Sequence, residues 1–401
     1  MRILELNTYA GSGSTGRIAL EIAQFAASQG SETIIGFGAG TVPPEAEVYA
    51  LRIGGKISRK WHGMLRKLLD AEGYGSLGAT RKLIRFMAAW KPDVVHLHNI
   101  HGCYLNHRRL FAYLQKNNIP VLWTLHDCWP FTGHCAYFDY AGCDRWKTEC
   151  HHCPQQRTYP VCIGLDGSRR NHRRRKKMFP SLPRLTLVTP CRWLQGLLSA
   201  SCMQNVASRV VYNGVDRGMF FPRESDIRTR HHLETRYVAL AVASEWEARK
   251  GVQLLPELAA QLGDEVKLVV IGLTEVQIDA LPAGILGLPR TTSVRDLAKW
   301  YSTADCFVNP TLEDNMPLVN LEALACGTPV ATFATGGCPE CITPACGRVV
   351  PKGDVTALAS AVKELCQHKA AMKSACLLQA EQFDSGTTAS AYYDLYREQM
   401  K

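Results

Sequence analysis

The sequence has no long hydrophobic run, and its apolar stretches have the length of strands, which argues against a membrane-spanning helix. The N-terminus also lacks the apolar core of a signal peptide, since residues 1–7 alternate like a strand. A hydrophobic content of 46% with 20% charged residues is typical of a globular protein. We therefore expect a cytoplasmic protein, and 401 residues suit two domains better than one.

Acidic residues are in deficit: 36 Asp and Glu stand against 46 Lys and Arg, giving a net charge of +10. This excess favours an anionic partner, which could be a nucleotide sugar, a lipid phosphate, a membrane surface or a nucleic acid. Charge alone does not choose among them. In a cytoplasmic protein the 16 cysteines are expected to be mostly reduced thiols rather than a disulfide framework.

The most informative stretch is NPTLEDNMPLVNLEALACGTPV, residues 309–330. A buried strand at 305–309 ends at Pro310, because proline cannot donate a ladder hydrogen bond. Two acids and an amide then precede a helix predicted over 318–326, which ends at Gly327. The acids therefore lie at the carboxyl end of a strand and in the helix that follows, where open parallel sheets bind ligands.

This stretch resembles the donor-binding segment of the retaining GT-B glycosyltransferases of family 4. Their motif is an acid, seven residues, a glutamate and an ACGTPV-like run, and Asp314 and Glu322 stand at the acidic positions. The resemblance implies that the first acid lies near the transferred sugar and that the second binds the ribose hydroxyls. The family usually has Glu first, so Asp314 is a departure, and Glu313 could share its role. Acids that merely favour a helix dipole are the alternative explanation of Glu313.

The resemblance assigns roles to loops in both halves of the chain. The residues it implies in donor binding are Gly13, Ser14, Gly16, Arg249, Lys250, Glu313, Asp314, Asn315, Met316, Pro317, Leu318, Glu322, Gly336 and Gly337. Those it implies in catalysis are His126, Asp127, Lys250, Asp314 and Glu322. No dedicated nucleophile is evident, and the front-face substitution proposed for the family needs neither a nucleophile nor a cofactor. Transfer would rest on positioning and on stabilising the leaving diphosphate.

A second motif, GxGxxG, is formed by Gly11, Gly13 and Gly16. It makes an NAD(P)-dependent oxidoreductase one alternative. That function needs an acid at the end of the second strand, predicted at 33–37, but the chain continues with Gly38. The glycines also let backbone amides approach a phosphate, and the resemblance places Gly13 and Ser14 beside the donor diphosphate. A tight turn that binds no ligand would also explain these three glycines.

Two further sites depend on short motifs. The pair His126 and Asp127, after a strand, resembles the family's HD near the reacting sugar, although a buried histidine satisfied by backbone is the plainer explanation. Lys250, followed by glycine, matches the family's diphosphate-binding lysine. Glu245 occupies the place of the usual arginine, and Arg249 is the nearest base that could pair with it.

Cysteines are concentrated in an insert at 128–162. Cys150 and Cys153 have the CxxC spacing of half a tetrahedral zinc site, and Cys135 and Cys143 could supply the other half. No regular second CxxC is present, so the packing of reduced thiols is the alternative. Such a zinc ion would be structural, bracing a loop on the acceptor side.

The run RRNHRRRKK at 169–177 has seven basic residues in nine. Together with the cysteines it supports a zinc-braced nucleic-acid-binding protein as a second alternative, but no aromatic residues are interleaved for base stacking. An anionic membrane surface, a lipid-linked diphosphate or a mobile solvated segment would explain it equally. Residues 54–90 also combine basic residues with an apolar stripe that includes Trp61, typical of a membrane contact or a solvated helix face.

The resemblance covers nearly the whole chain and implies two α/β, Rossmann-like domains facing across a cleft. We expect an N-terminal acceptor-binding domain at 1–216 that is completed by 385–401, and a nucleotide-sugar-binding domain at 217–384 that ends in helices at 354–367 and 371–382. The last helix should cross back to the first domain.

The expected function is that of a hexosyltransferase (EC 2.4). It would move a sugar, with retention, from a nucleotide-diphosphate sugar to an oligosaccharide or lipid-linked glycan in surface polysaccharide biosynthesis. The protein could also contact the anionic cytoplasmic face of the inner membrane peripherally. We expect no nucleic-acid partner.

Overall fold

Alternating strands and helices divide the chain into two α/β units, in agreement with the predicted fold class. The computed structural model describes residues 1–291 and 293–400, so Lys401, the last residue of the predicted segment 385–401, lies outside the described residues. The first unit contains residues 1–212 and the chain from Thr388 onward, and the second contains Asn213–Thr387. None of the described helices is both long and apolar enough to cross a membrane.

The first unit is built on a seven-stranded sheet of order β3–β2–β1–β4–β5–β6–β7, in which each neighbouring pair is parallel. Its strands are β1 Arg2–Asn7, β2 Glu32–Phe37, β3 Ala50–Arg52, β4 Val94–Leu97, β5 Val121–Thr124, β6 Leu185–Thr189 and β7 Ala207–Val210. Leu4 on β1 pairs with Ile34 on one side and Val95 on the other. Every residue of β4 and β5 is buried, which explains their nearly continuous apolar sequence.

Six helices connect these strands: α1 Gly13–Ser28, α2 Lys56–Leu69, α3 Leu77–Trp90, α4 His107–Lys116, α5 Ser168–Met178 and α6 Arg192–Leu198. The face of α1 that carries Ile18 and Ile22 is buried, as its helical spacing predicts. The predicted region 54–90 is mainly helical, with α2 and α3 separated by a short loop.

The second unit is built on a six-stranded parallel sheet of order β10–β9–β8–β11–β12–β13. Its strands are β8 Tyr237–Val242, β9 Val266–Ile271, β10 Ile285–Leu288, β11 Cys306–Asn309, β12 Val330–Phe333 and β13 Gly347–Val350. In both units the first strand lies inside the sheet and the chain winds outward on either side of it. This doubly wound arrangement places ligand-binding loops at the carboxyl edge.

The helices of the second unit are α7 Ile227–Arg230, α8 Leu255–Leu262, α9 Glu275–Asp279, α10 Val294–Thr303, α11 Leu318–Ala325 and α12 Val355–Glu381. The expectation of two helices at 354–367 and 371–382 is wrong, because α12 is one continuous helix of 27 residues. It contains neither glycine nor proline, so no residue in it favours a break.

The C-terminal helix α13, Ser385–Gln399, carries the end of the chain into the first unit. The Tyr396 hydroxyl is hydrogen-bonded to Nδ1 of His96 at 2.6 Å. The Thr124 hydroxyl donates to that of Tyr392 at 3.1 Å. These buried contacts attach α13 to β4 and β5, so the first unit is completed by a segment distant in sequence.

Candidate functional site

The carboxyl edge of the second sheet carries the predicted acids. The loop from β11 to α11 buries the side chains of Glu313 and Asn315, whereas Asp314 is half-buried. Oδ2 of Asp314 forms an ion pair with Nζ of Lys250. The structure therefore brings together two residues that are 64 positions apart in the sequence and that the motifs assigned to the sugar and the diphosphate.

The turn that carries Lys250 is held against this loop by its backbone. Gly251 has φ of +80°, and a Cβ there would lie 2.1 Å from the carbonyl oxygen of Pro310, so only glycine fits. The Leu312 N–H donates to the Arg249 carbonyl at 2.8 Å. This close backbone approach explains why a glycine follows the lysine, and it positions Lys250 beside Asp314.

Proximity in the sequence suggested that Arg249 pairs with Glu245, but the structure gives it a different partner. Its Nε lies 2.6 Å from Oε1 of Glu247, while the side chain of Glu245 is exposed. The turn directs the two neighbouring bases to different carboxylates, Arg249 to Glu247 and Lys250 to Asp314. Lys250 is therefore the base of this turn that is directed toward the predicted acids.

Glu322, the second motif acid, is buried on α11. Its Oε2 accepts a hydrogen bond from the Tyr301 hydroxyl at 2.9 Å. Tyr301 belongs to α10, and no motif in the sequence marks it as a partner of Glu322. A buried carboxylate needs hydrogen-bond donors, and Tyr301 orients it while ribose hydroxyls could supply others.

The glycine loop after β12 adjoins the acidic loop. The Gly337 N–H donates to the Asn315 carbonyl at 2.8 Å, and Gly336 has φ of +54°. The carbonyl of Met316 accepts from Nδ2 of Asn213 at 3.2 Å, and Pro317 is the N-cap that leads into Leu318, the first residue of α11. Residues 313–318 and 336–337 thus form two connected loops of this unit, in which Asp314, Leu318 and Gly336 are partly exposed.

In the first unit, the predicted phosphate loop begins α1. Gly13 and Ser14 are exposed in its first turn, where backbone amides can bind a phosphate. Gly16 is buried, and its carbonyl accepts from the Gly11 N–H at 3.1 Å. The GxGxxG motif is therefore a closed loop at a helix N-terminus.

Besides the glycine loop, a dinucleotide-binding site needs an acid at the carboxyl end of the second strand, and β2 does not end in one. Glu32, which the sequence placed just before strand two, is the first residue of β2, at its amino end, where it pairs with Arg2 at 3.5 Å. The carboxyl end of β2 is Phe37, followed by Gly38. Among the described residues, the position where an NAD ribose would be bound is thus occupied by Phe37 and Gly38 and not by an acid, which argues against the oxidoreductase.

His126 follows β5 and belongs to a chain of side-chain hydrogen bonds. Its Nε2 lies 3.0 Å from Nδ1 of His98, and Nε2 of His98 lies 3.2 Å from Oε2 of Glu5. The rings of His96 and His98 are satisfied by side chains rather than by backbone. His96 and His98, two apart, lie on one side of the chain, the one signal that could have indicated a shared polar environment.

Both carboxylate oxygens of Asp127 are in hydrogen bonds with neighbouring residues of the first unit. Its Oδ2 lies 2.8 Å from Nε2 of His101, and its Oδ1 accepts from the Trp129 N–H at 2.9 Å. Nδ1 of His101 is in turn 3.1 Å from the Tyr159 hydroxyl. Asp127 therefore fixes the start of the cysteine-rich insert, a contribution that the HD motif did not reveal.

These buried histidines predict acid sensitivity. Burial lowers the pKa of His107 and of His126 to about 4 each, and it also lowers the pKa of His98. In the unfolded chain a histidine binds its proton near pH 6.5, whereas in the folded protein these rings stay neutral until about pH 4. The free energy of unfolding is therefore at its full value above pH 6.5 and decreases as the pH falls toward 4. We expect a loss of about 3 kcal/mol for His107 alone at pH 4. Urea unfolding between pH 7 and 4 measures it, and equal pH slopes for wild type and His107→Phe would contradict it.

The basic run 169–177 is not a mobile segment but helix α5. Arg175 is buried against the ring of Trp129, with 3.6 Å from Cζ to the ring centroid, and it donates to the carbonyls of Trp129 and Thr132. Arg174 lies over Tyr74, so aromatic partners are supplied from elsewhere in the chain. Arg169 and Arg173 both pair with Glu149. Internal contacts thus occupy much of the charge that suggested nucleic acid.

The two parallel sheets with their helices have the GT-B fold. A sucrose-phosphate synthase from Thermosynechococcus elongatus has the same fold, with a TM-score of 0.72 at 17% identity, over 99% of this chain and 98% of that one. HepE of Anabaena in complex with UDP-glucose has a TM-score of 0.68 at 15% identity, over 99% and 100% of the two chains.

Sequence comparison agrees with the fold. The model of Glycosyltransferase Family 4 matches residues 15–218, and that of Glycosyl transferases group 1 matches 236–368. WcaC of Escherichia coli (strain K12), assigned to colanic acid biosynthesis as a glycosyl transferase, is 25% identical over 89% of each chain. The chain belongs to glycosyltransferase family 4.

Proposed function

We propose that this glycosyltransferase moves a hexose-type sugar from a nucleotide-diphosphate sugar to a growing glycan, with retention of anomeric configuration. The observation that carries the proposal is the ion pair of Lys250 with Asp314, at the start of the loop-and-helix segment that also holds the buried Glu322. In this proposal Lys250 binds the diphosphate, Asp314 the sugar and Glu322 the ribose, and these residues lie in the segments that follow β8 and β11.

Each group has a distinct task in this proposal. The Lys250 ammonium neutralises charge that develops on the diphosphate as the glycosidic bond breaks. Asp314 holds that ammonium in place and accepts hydrogen bonds from sugar hydroxyls, while Glu322 accepts those of the ribose. The Gly336 amide adds positive partial charge without a metal ion, so no cofactor is proposed for transfer, whereas the Gly337 N–H already donates to the Asn315 carbonyl and positions the loop.

The similar proteins support the donor and the setting. The HepE complexes contain UDP-glucose or UDP, which favours a nucleotide-sugar donor here. The similarity to WcaC over most of the chain favours surface polysaccharide biosynthesis, with an oligosaccharide or lipid-linked acceptor. His126 is proposed to contact the sugar or orient the acceptor hydroxyl, with its ring held by His98.

Ligand-induced stabilisation tests the proposal. Thermal unfolding is measured with UDP, GDP, ADP, TDP, NAD and NADP, each at the same excess. Binding at a hundred times Kd stabilises by about 2.7 kcal/mol, so at least one nucleoside diphosphate should raise Tm while NAD and NADP should not. Product from the matching sugar donor, analysed by NMR, should keep the anomeric configuration. Stabilisation by NAD or NADP alone would support the oxidoreductase instead.

We also propose that α2 rests on an anionic membrane surface. Ile57, Trp61, Met64 and Leu68 follow helical spacing on one face and are exposed, Ile57 by 76% and Trp61 by 62%. Basic side chains stand on the same helix, including both Arg66 and Lys67 in its last turn. Exposed apolar residues beside basic ones are typical of helices that lie in the membrane interface.

The chain that follows the insert extends this surface. The N–H groups of Ile163 and Leu165 donate to the carbonyls of Lys67 and Leu68, at 2.9 and 2.8 Å. The side chains of Ile163 and Leu165 are 64% and 68% exposed. Their docking on the end of α2 adds apolar area next to Leu68, which a solvated helix face alone would not require.

Vesicle binding tests this surface. Trp61→Ser combined with Leu165→Ser should lower co-sedimentation with phosphatidylglycerol-containing vesicles at least tenfold, because both apolar contacts are lost. Val276→Ser is the matched control, since Val276 is 79% exposed in the second unit. Wild type should bind neutral vesicles weakly. Equal binding by the double variant and the control would remove α2 from the membrane contact.

A further inference from the structure

Four cysteines of the insert surround one small cavity. Cys135, Cys143, Cys150 and Cys153 line a space of about 10 Å³, together with His134, Arg145 and the ring of Trp146. That volume holds roughly one water-sized particle. We propose that this cavity is a structural zinc site with the four thiolates as ligands, and the proposal does not depend on the reaction that the enzyme catalyses.

The local contacts suit thiolate ligands. Cys135 and Cys153, which are 18 positions apart in the sequence, line the same cavity. The Gly133 N–H donates to Sγ of Cys150 at 3.2 Å, which is how backbone amides support a metal-bound thiolate. Arg145 is the cation beside the cavity, where it offsets the net charge of −2 that a zinc ion with four thiolates carries.

Cys162, another thiol of the insert, has a different environment. Sγ of Cys162 lies 3.3 Å from the Lys67 carbonyl and 3.5 Å from that of Leu165, as a donor in an ordinary packed environment. Such a thiol needs its proton, whereas a zinc ligand must lose it. Cys162 is therefore a packing cysteine, distinct from the four around the cavity, a distinction that spacing alone did not make.

Two other groups in the described chain have ligand atoms mutually within 4.8 Å, namely Glu5 with His96 and His98, and His62 with Glu72 and Cys103. Hydrogen bonds explain the first group, since His98 contacts Glu5 and His126. In the second, Oε1 of Glu72 accepts from the Cys103 N–H at 2.9 Å. The four insert thiols are more widely spaced, so zinc would draw them inward to about 2.3 Å from the metal.

The site would brace the segment next to His126 and Asp127. The Thr132 hydroxyl donates to the Cys135 carbonyl at 2.6 Å, and Arg175 of α5 donates to the carbonyls of Trp129 and Thr132. Zinc at the cavity would tie residues 135–153 to this network. Four ligands from the protein close the coordination shell, as in structural rather than catalytic sites.

Metal analysis of the full-length protein tests the site. Protein expressed with zinc and purified without chelator should contain about one zinc per chain. Cys150→Ser with Cys153→Ser should reduce this at least tenfold, whereas Cys162→Ser, the matched control, should retain it. Release of zinc by a chelator should lower Tm of the wild type and leave that of the double variant unchanged.

Cobalt substitution keeps the proposal testable if the double variant does not fold. Wild-type protein freed of metal and titrated with Co²⁺ should show the absorption of a tetrahedral thiolate complex, saturating at one ion per chain, and Cys143→Ser should weaken it. Zinc-free wild type that takes up no Co²⁺ would overturn the site. A disulfide between Cys135 and Cys153 in freshly purified protein, or zinc retained without Cys150 and Cys153, would overturn it equally.

Discussion

Replacement of Glu322 with alanine is expected to abolish sugar transfer. The side chain is buried on α11, and its Oε2 is oriented by the Tyr301 hydroxyl at 2.9 Å. The proposed ribose contact consists of two charge-assisted hydrogen bonds, whose loss should weaken donor binding by about 2–4 kcal/mol. Isothermal titration with the nucleoside diphosphate and steady-state kinetics with the sugar donor measure both losses.

Two gentler substitutions separate the ribose contact from the fold. Glu322→Ala also leaves the buried Tyr301 hydroxyl without its acceptor, which costs about 1–3 kcal/mol of stability. Glu322→Gln keeps an acceptor for Tyr301 but removes the charge, so it should fold and still bind the donor at least tenfold more weakly. Tyr301→Phe should keep most of the affinity. Normal donor affinity and turnover in a folded Glu322→Gln enzyme would show that ribose is bound elsewhere.

The sequence alone predicted those features of this site that depend only on the direction of the chain through the sheet. Strands followed by helices predict parallel sheets, and residues after β11, such as Asp314, must then lie at the carboxyl edge. Gly251 and Gly336, in left-handed conformations, mark turns that motifs also identified. The α/β class and the family follow from such local signals, because each depends on a short segment and its neighbours.

Side-chain partners could not be predicted in this way. Arg249 is four residues from Glu245 and two from Glu247, and only the geometry of the turn decides that Glu247 is its partner. Tyr301 reaches Glu322 from another helix, 21 residues away. The pairing of Glu5 with His98 spans 93 positions. These contacts depend on the packing of complete elements, on which spacing in the sequence carries no information.

Replacement of Lys250 with alanine is expected to lower kcat/KM about a hundredfold or more, with most of the loss in kcat. Its ammonium is ion-paired with Asp314, and the turn that carries it packs against the Pro310 carbonyl at Gly251. Charge on the leaving diphosphate increases in the transition state, so a base beside it stabilises that state more than the bound substrate. Single-turnover and steady-state kinetics with the matching donor separate this effect from product release.

The pair with Asp314 gives the prediction a further test. Asp314→Asn and the double variant complete a cycle, in which we expect strong non-additivity because Lys250 and Asp314 are in contact. Glu245→Arg, in the exposed turn, should leave donor affinity unchanged or raise it, since it restores a base beside the proposed diphosphate. Arg249→Ala is the matched control, because Arg249 is paired with Glu247 and should matter less. A Lys250→Ala enzyme within twofold of wild type would place the diphosphate away from the 248–251 turn.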